Sequence, residues 1–400
     1  MRFKGLATLS LAFTMVLLPD SGEASAEKKV DSLPKVEENT KAEQGDYVKG
    51  EVVVKFKEGK GKTGERAALD GVKASEITDD DAVDSDFKVL KVGNVEAVVK
   101  ALNKNPNVEY AEPNYEFDAA WTPNDTYYNS VQYGPQTTNT PAAWDITRGS
   151  RNQQIAVIDS GVDYNHPDLN DKTVRGYDFV DNDNDPMDEN GHGTHVAGTA
   201  AAETNNSQGI AGMAPDTEIL AVRALDASGN GSLAAIADAI RYSADQGAEV
   251  INLSLGCDCD TQTLEDAVNY AWSQGSLIVA AAGNDGVSTT FEPASYSNVI
   301  AVGAVDENDD IASFSNYGTW VDVTAPGVDI ASTVPDGGYA YMSGTSMASP
   351  HVAGLAGLLA SQGKNNTEIR SAIENSADPI SGTGSYFNDG RINSYEALNY

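Results

Sequence analysis

Three residues of complementary chemistry stand far apart in the chain. They are Asp159 in Asp159-Ser160-Gly161-Val162-Asp163, His192 in His192-Gly193-Thr194-His195-Val196-Ala197-Gly198, and Ser346 in Gly344-Thr345-Ser346-Met347-Ala348-Ser349-Pro350-His351. A serine hydroxyl alone is a poor nucleophile near neutral pH. It needs an adjacent base, and the base needs an acceptor that fixes its tautomer. The chain order Asp, His, Ser is one of three unrelated orders that assemble such a group. The roles expected are Ser346 as nucleophile, His192 as general base and then acid, and Asp159 as orienting carboxylate. Together they would carry out acyl transfer.

The flanking residues agree with those roles. Asp159 closes the apolar run Gln154–Ile158, which places it at the carboxyl end of a buried strand, where open α/β sheets put their sites. His192 follows Asn190-Gly191 and opens an Ala/Gly-rich helix. Ser346 lies just before Met347–Pro350, and proline is tolerated in a first helical turn. A serine there gains backbone N–H groups for a developing oxyanion, and Asn284, just past an apolar strand, offers a second donor. A lipase-type hydrolase would need Gly-x-Ser-x-Gly and the order Ser, Asp, His, which are absent. The His192/His195 pair lacks the glutamate of a zinc-protease helix. Of the other groups nearby, His166, His195 and His351 are expected to be structural, Asp163 a turn or surface group, and Ser160 a positioner of Asp159. A non-catalytic scaffold that kept the fold is the competing reading, and the intact Asp159, His192, Ser346 and Asn284 weigh against it.

These segments, with Ser254-Leu255-Gly256 and Ala281-Ala282-Gly283-Asn284, resemble the subtilisin family of serine proteases, and within it the thermitase-like branch. The likeness covers nearly all of residues 121–400, while residues 47–118 resemble the family's inhibitory propeptide. The resemblance implies a secreted serine endopeptidase of broad specificity, acting on proteins and peptides through an acyl-enzyme. It would be made as a self-processed zymogen with its own propeptide as intramolecular inhibitor. Asn284 and the Ser346 N–H would hold the oxyanion. Ser254, Leu255 and Gly256, with Gly229 and Gly231, would be edge strands that hydrogen-bond the substrate backbone, and Ala282 and Gly283 would line the pocket for the side chain preceding the cut.

The resemblance also implies two to three structural Ca²⁺ ions. One site would take Asp125, Asp168 and the Asn206 side chain with carbonyls of Glu203, Gln208 and Ile210. A second would take Asp178, Asp181 and Asp183 with oxygens of Asp185 and Met187. A weaker one would involve Ala294, Tyr296, Val299 and Asp322. For the second the residues speak independently: five carboxylates fall within residues 178–188, and hard oxygen ligands so spaced suit Ca²⁺ and repel one another without a cation. An acidic surface loop is the plain alternative. One departure from the branch is Cys257, where a glycine usually follows Ser-Leu-Gly; it leaves the geometry beside the substrate pocket open.

These residues must be positioned by a larger frame. Apolar runs at Gln154–Ile158, Ile219–Leu225, Val250–Leu255, Leu277–Ala282 and Val299–Val305 alternate with helical stretches at His195–Ala202, Leu233–Gly247 and Leu264–Gln274. Continuous apolar strands separated by helices predict an α/β fold, a doubly wound and mostly parallel sheet covered on both faces. Ahead of it, Tyr47–Phe56 alternates as a half-buried strand, Val95, Val98, Val99 and Leu102 have helical spacing, and Val108–Phe117 reads as a further strand. That is a small α+β unit, marginal in size for standing alone. The N-terminus has the pattern of a signal peptide: Arg2 and Lys4, the apolar run Leu6–Leu18, then Ala24-Ser25-Ala26. The expected organisation is 1–26 signal peptide, 27–120 propeptide and 121–400 catalytic domain. The product is expected to be extracellular, monomeric and free of the membrane once the signal is removed.

Charge narrows the partners. Residues 121–400 hold nine Lys/Arg against 37 Asp/Glu. Such a surface argues against nucleic acid and anionic membranes, keeps a secreted protein soluble, and invites bound cations. The two cysteines, Cys257 and Cys259, flank Asp258. In an oxidising compartment they can close a small disulfide ring, the alternatives being two exposed thiols or a weak two-thiolate metal site.

Overall fold

Alternation and helical spacing build the N-terminal unit. The computed structural model describes residues 14–17, 47–57, 65–66, 68–69, 71–72, 74–76, 86–115 and 121–400, and the chain divides into two compact units, residues 24–119 and residues 120–400 with the leader. Of the leader only β1 (Thr14–Leu17) is described, paired antiparallel with Ala340–Ser343. The signal-peptide features around it lie outside the described residues. In the N-terminal unit, β2 (Tyr47–Phe56), β3 (Ser75–Glu76), β4 (Lys88–Lys91) and β5 (Val108–Tyr115) form an antiparallel sheet in the order β3-β4-β2-β5. Val52 and Val54 point into its core while Val53 between them does not, the period-2 pattern of a one-sided sheet. Helix α1 (Val95–Leu102) buries Val95, Val98 and Leu102, and the Asn94 side chain caps it by accepting from Ala97 N. The strand expected to reach Phe117 is described only to Tyr115.

The larger unit is organised by one parallel sheet. After the short helices α2 (Tyr128–Val131), α3 (Gly134–Thr137) and α4 (Thr140–Trp144) come β6 (Gln154–Asp159), β7 (Thr173–Asp178), α5 (His192–Ala201), β8 (Glu218–Arg223), α6 (Leu233–Asp245), β9 (Val250–Leu253), α7 (Gln262–Gln274), β10 (Leu277–Ala281), β11 (Val299–Val305) and β12 (Val323–Pro326). An antiparallel hairpin, β13 (Ile330–Val334) and β14 (Gly338–Ser343), leads into α8 (Thr345–Ser361), followed by α9 (Asn366–Asn375), β15 (Gly390–Arg391) and α10 (Ser394–Asn399). The sheet runs β15-β12-β11-β10-β9-β6-β8-β7, every pair parallel. The chain starts near the middle at β6, goes out to β7 at the edge, returns to β8 between the two, then crosses to β9 on the other side of β6. Strand order therefore reverses beside β6, and sites in such sheets form beyond the carboxyl ends at that reversal. Asp159 ends β6, Ser254 follows β9, and Asn284 follows β10.

Both faces are covered, as continuous apolar strands require. Ile155 and Val157 of β6 face a core shared with α5 and α8, while Ala156 and Ile158 face the opposite core, built with α6 and α7. Helix α8 is buried from Thr345 to Ala360 on every side and shows no amphipathic stripe. The substrate-edge segments expected as strands are irregular. Gly229–Gly231 belongs to a turn pinned by Asp226, whose Oδ1 accepts from Ser228 N (2.8 Å) and Asn230 N (3.0 Å). Ser254–Gly256 continues beyond β9 and among the described residues joins no ladder.

Candidate functional site

Asp159 and His192 meet directly. Both side chains are fully buried, and His192 Nδ1 lies 2.8 Å from Asp159 Oδ1, which also accepts from Ser160 N at 2.7 Å. A carboxylate only accepts, so the imidazole carries its proton on Nδ1 and Nε2 is the basic nitrogen. The approach depends on Gly193. A Cβ there would lie 2.1 Å from Gly161 O and 3.0 Å from Asp159 Cβ, so only glycine lets the first turn of α5 close onto the end of β6. Ser160 orients Asp159 through its backbone N–H; its hydroxyl turns instead to Asp188 (2.9 Å) and accepts from Gly193 N (3.0 Å).

Ser346 is the second residue of α8, 6% exposed, and its first turn is tied to β9. Its Oγ donates to Ser254 O (3.1 Å), and Ser254 Oγ donates back to Ser346 O (2.8 Å). Asn252 Nδ2 donates to Ser254 Oγ (3.0 Å), and Ser349 Oγ donates to Asn252 Oδ1 (2.7 Å). Helices α5 and α8, which carry His192 and Ser346, pack against each other. Asn284 is held by its oxygen: Oδ1 accepts from Thr345 N (2.8 Å) and Thr345 Oγ1 (3.0 Å), which leaves Nδ2 to donate elsewhere. A Cβ built on Gly344 would stand 3.6 Å from both Asn284 Nδ2 and Ser346 N and 3.7 Å from Asn284 Oδ1, so the Asn284 amide and the Ser346 backbone nitrogen lie close together beside the serine.

The pocket wall follows from the same loops. Gly283, at φ +100°, and Gly256 both face the Phe291 ring, and a Cβ on Gly256 would lie 2.2 Å from it. Asn316 pins the loop after β10: Nδ2 donates to Ala282 O, and Oδ1 accepts from Asp285 N and Val287 N. Cys257 and Cys259 lie side by side, their Cα atoms 5.2 Å apart, and Cys257 exchanges two 2.9 Å backbone hydrogen bonds with Glu292. Sequence reasoning missed Thr345, Asn252, Ser349 and Asn316. The first and third lie inside the serine motif, whereas Asn252 and Asn316 carry no local signal.

The remaining histidines are structural. His166 Nε2 reaches Gly338 O (3.0 Å) while Nδ1 accepts from Asp168 N (3.1 Å). His195 Nε2 contacts Ile330 O (2.9 Å) and Ala340 O (3.2 Å), clamping the β13–β14 hairpin to α5, and burial lowers its pKa to about 3. His351 Nδ1 lies 2.9 Å from Met347 O, and burial lowers its pKa to about 4. Asp163 is a turn residue, as expected, but a buried one: Oδ1 accepts from Asn165 N and Oδ2 from Asp336 N.

The three expected cation sites differ in fit. Asp125 and Asp168 are both buried, and among the described residues neither forms an ion pair. Burial, with Asp168 adding its charge, pushes the Asp125 carboxyl up to about 6. Two buried carboxylates so close call for a hard cation, and the charge fits Ca²⁺. Asn206 presently turns its Nδ2 to Asp168 (2.8 Å) and its oxygen to Gln208 N (2.8 Å). In the acidic loop, Asp178 and Asp181 instead share Arg223 (2.7 and 2.8 Å), which also holds Glu189 (2.6 Å). Asp185 accepts from the Tyr164 hydroxyl, and Asp183 from Asp185 N. At the third place Arg370 stands 3.4 Å from Asp322 and donates to Ser297 O. Both of these loops therefore already have a guanidinium beside the carboxylates. Among the described residues no three His, Cys, Asp or Glu side chains come together as a metal-holding group.

Comparison with known proteins bears on the same segments. Residues 150–394 match the subtilase family, and residues 34–114 match the fervidolysin N-terminal prodomain. The chain is 69% identical over 401 residues to a thermophilic serine proteinase of Bacillus sp. (strain AK1), covering all of both chains. It is 60% identical over 280 residues to thermitase of Thermoactinomyces vulgaris, covering 70% of this chain and all of that one. A solved protease structure from Pseudoalteromonas arctica superposes with a TM-score of 0.64 at 32% identity, covering 70% of this chain and 99% of the other.

Proposed function

Because the chain belongs to the subtilase family, as a thermitase-like serine endopeptidase with an N-terminal prodomain, we propose that Asp159, His192 and Ser346 are its catalytic triad. The observation that carries this is the buried 2.8 Å contact between His192 Nδ1 and Asp159 Oδ1, at the carboxyl ends of the strands where Ser346 begins α8. His192 Nε2 takes the Ser346 proton as Oγ attacks the scissile carbonyl carbon. The oxyanion is received by the Ser346 N–H and Asn284 Nδ2, whose direction Thr345 sets. His192 then gives the proton to the leaving amine. A water attacks the acyl-enzyme with His192 again as base, and Ser346 is regenerated. Ser254–Gly256 and Gly229–Gly231 gain strand character when a substrate backbone lies against them. Replacing Ser346 by Ala should abolish peptide hydrolysis and leave the precursor uncut; full activity in that variant would exclude the reading.

The same reading makes the enzyme a secreted zymogen, cut between Ala120 and Trp121, with the prodomain as inhibitor. Two observations support the boundary. The compact units divide at residue 120. Trp121 is already anchored to the larger one: its N–H donates to Asp145 (3.1 Å), its ring meets Trp144 edge-on at 5.2 Å, and Arg148 covers it at 4.9 Å. Export rests on the leader, and no helix among the described residues is long and apolar enough to cross a membrane. N-terminal sequencing of the active protein checks the cut, and a start far from Trp121 would refute it. Calcium, when bound, would neutralise charge and clamp loops without entering the chemistry. Asp125 and Asp168, with Asn206 and carbonyls of Glu203, Gln208 and Ile210, are the ligands this chain supports best. The acidic-loop and Asp322 places are secondary, because Arg223 and Arg370 already serve them. The Cys257–Cys259 bond would stiffen the pocket wall beside Gly256.

A further inference from the structure

Asp188 is a buried carboxylate, 6% exposed, that forms no ion pair among the described residues. It lies in the acidic run, yet Arg223 takes Asp178, Asp181 and Glu189 and not Asp188. Burying an unpaired charge is costly unless hydrogen bonds satisfy it, and here five donors do. Oδ1 accepts from Ser160 Oγ, Asn190 N and Gly191 N, each at 2.9 Å. Oδ2 accepts from Thr194 N (2.9 Å) and Thr194 Oγ1 (2.6 Å). With donors on every side, both oxygens serve as acceptors.

Those donors come from two places only: the residue after Asp159, and residues 190–194, which lead into α5 and form its first turn around His192. Gly191 has no side chain to cap α5, so Asp188 does that from upstream and complements the positive end of the helix. Ser160 closes the circuit. Its N–H holds Asp159 Oδ1, and its hydroxyl both donates to Asp188 and accepts from Gly193 N. Asp159, Ser160, Asp188, the first turn of α5 and His192 thus form a closed ring of hydrogen bonds.

We propose that Asp188 is a positioning residue for catalysis, fixing the His192 ring against Asp159 by locking the start of α5 to Ser160; this rests on the triad reading above. Asp188→Asn puts an amide N–H against donors, so one side of the ring must open. The expected result is a loss in kcat of roughly 10- to 100-fold with KM within about twofold, because the change misplaces reacting groups without touching the substrate. Ser160→Ala keeps the charge and the helix cap but cuts the link, and should reproduce most of the loss. The Asp188→Asn/Ser160→Ala double variant should lose less than the two single losses combined, as residues in one network do. In the Ser346→Ala background, Asp188→Asn should also shift or broaden the low-field proton resonance of the His192–Asp159 hydrogen bond. A fall in melting temperature with kcat and that resonance unchanged would overturn the proposal and leave Asp188 a helix cap. An unaltered kcat in Ser160→Ala would overturn it equally. His192→Ala is the control: if it stays active the triad reading itself fails, whereas an inactive His192→Ala with fully active Asp188→Asn defeats only the role of Asp188.

Discussion

Replacing Gly193 by Ala tests whether backbone closeness governs the Asp159–His192 contact. The new methyl carbon would begin 2.1 Å from Gly161 O, 3.0 Å from Asp159 Cβ and 3.2 Å from Asp159 Oδ1. Carbon and its neighbours settle at roughly 3.5 Å, so the first turn of α5 must retreat by on the order of 1 Å. The neighbour is a backbone carbonyl in a buried turn and has little room to yield. The same retreat carries His192 away from Asp159 and stretches their 2.8 Å contact beyond hydrogen-bonding range. Overpacking of this kind costs about 1–3 kcal/mol of stability, and a misplacement near 1 Å costs about 100-fold in rate. Steady-state kinetics on a short peptide amide should show kcat down by that order with KM little changed. Circular dichroism at the assay temperature should still show folded protein. A Gly193→Ala enzyme folded and within twofold of the parent kcat would refute the reasoning.

Asn284→Leu should lower kcat by roughly 100- to 1,000-fold with little change in KM, since one oxyanion donor is lost in the transition state only; equal activity in stopped assays would remove Asn284 from the site. His351 makes the fold acid-labile. Burial lowers its pKa to about 4 while the unfolded chain takes up the proton below about 6.5, so the unfolded state binds more protons and stability falls as pH drops from 6.5 towards 4. The loss approaches about 3 kcal/mol, and His351→Gln in the Ser346→Ala background should abolish that part of the pH dependence in thermal melts; identical slopes in both proteins would refute it. Chelation should lower the melting temperature and speed self-digestion, each ion contributing about 2.7 kcal/mol at a hundredfold excess over its Kd. Initial rates in the cold should hold, because no proposed ligand is Asp159, His192, Ser346 or Asn284; a melting temperature unmoved by EDTA would defeat the calcium proposal.

Much of this was legible in residue patterns, and the gaps have physical causes. Leu277–Ala281 could be read as a central strand because every position is apolar, and Val250–Leu253 because only Asn252 interrupts its apolar run. Asp159, His192 and Ser346 could be read because each chemical role permits few residue types, each inside a distinctive motif. The segments Ser254–Gly256 and Gly229–Gly231 were expected as strands yet are irregular, because a strand needs a ladder partner and among the described residues they have none. Arg223 could not be placed among the acidic residues from sequence: it reaches Asp178 and Asp181 only because β8 pairs with β7. Asp188 read as one more carboxylate in a charged run; its partner Thr194 lies on the helix just after it, but Ser160 stands 28 residues back, beyond the end of β6, and meets it only in the fold. Asn252 and Asn316 likewise act through contacts far along the chain.

The account stands on Ser346 as a nucleophile made reactive by His192 and Asp159. Reaction of the mature enzyme with a serine-directed sulfonyl fluoride, followed by mass spectrometry of its peptides, tests that most directly. The account predicts one adduct per molecule, located on Ser346, accumulating in step with the loss of activity, and nearly absent in the His192→Ala variant. Full inactivation with Ser346 unmodified, or full activity with Ser346 quantitatively labelled, would contradict it.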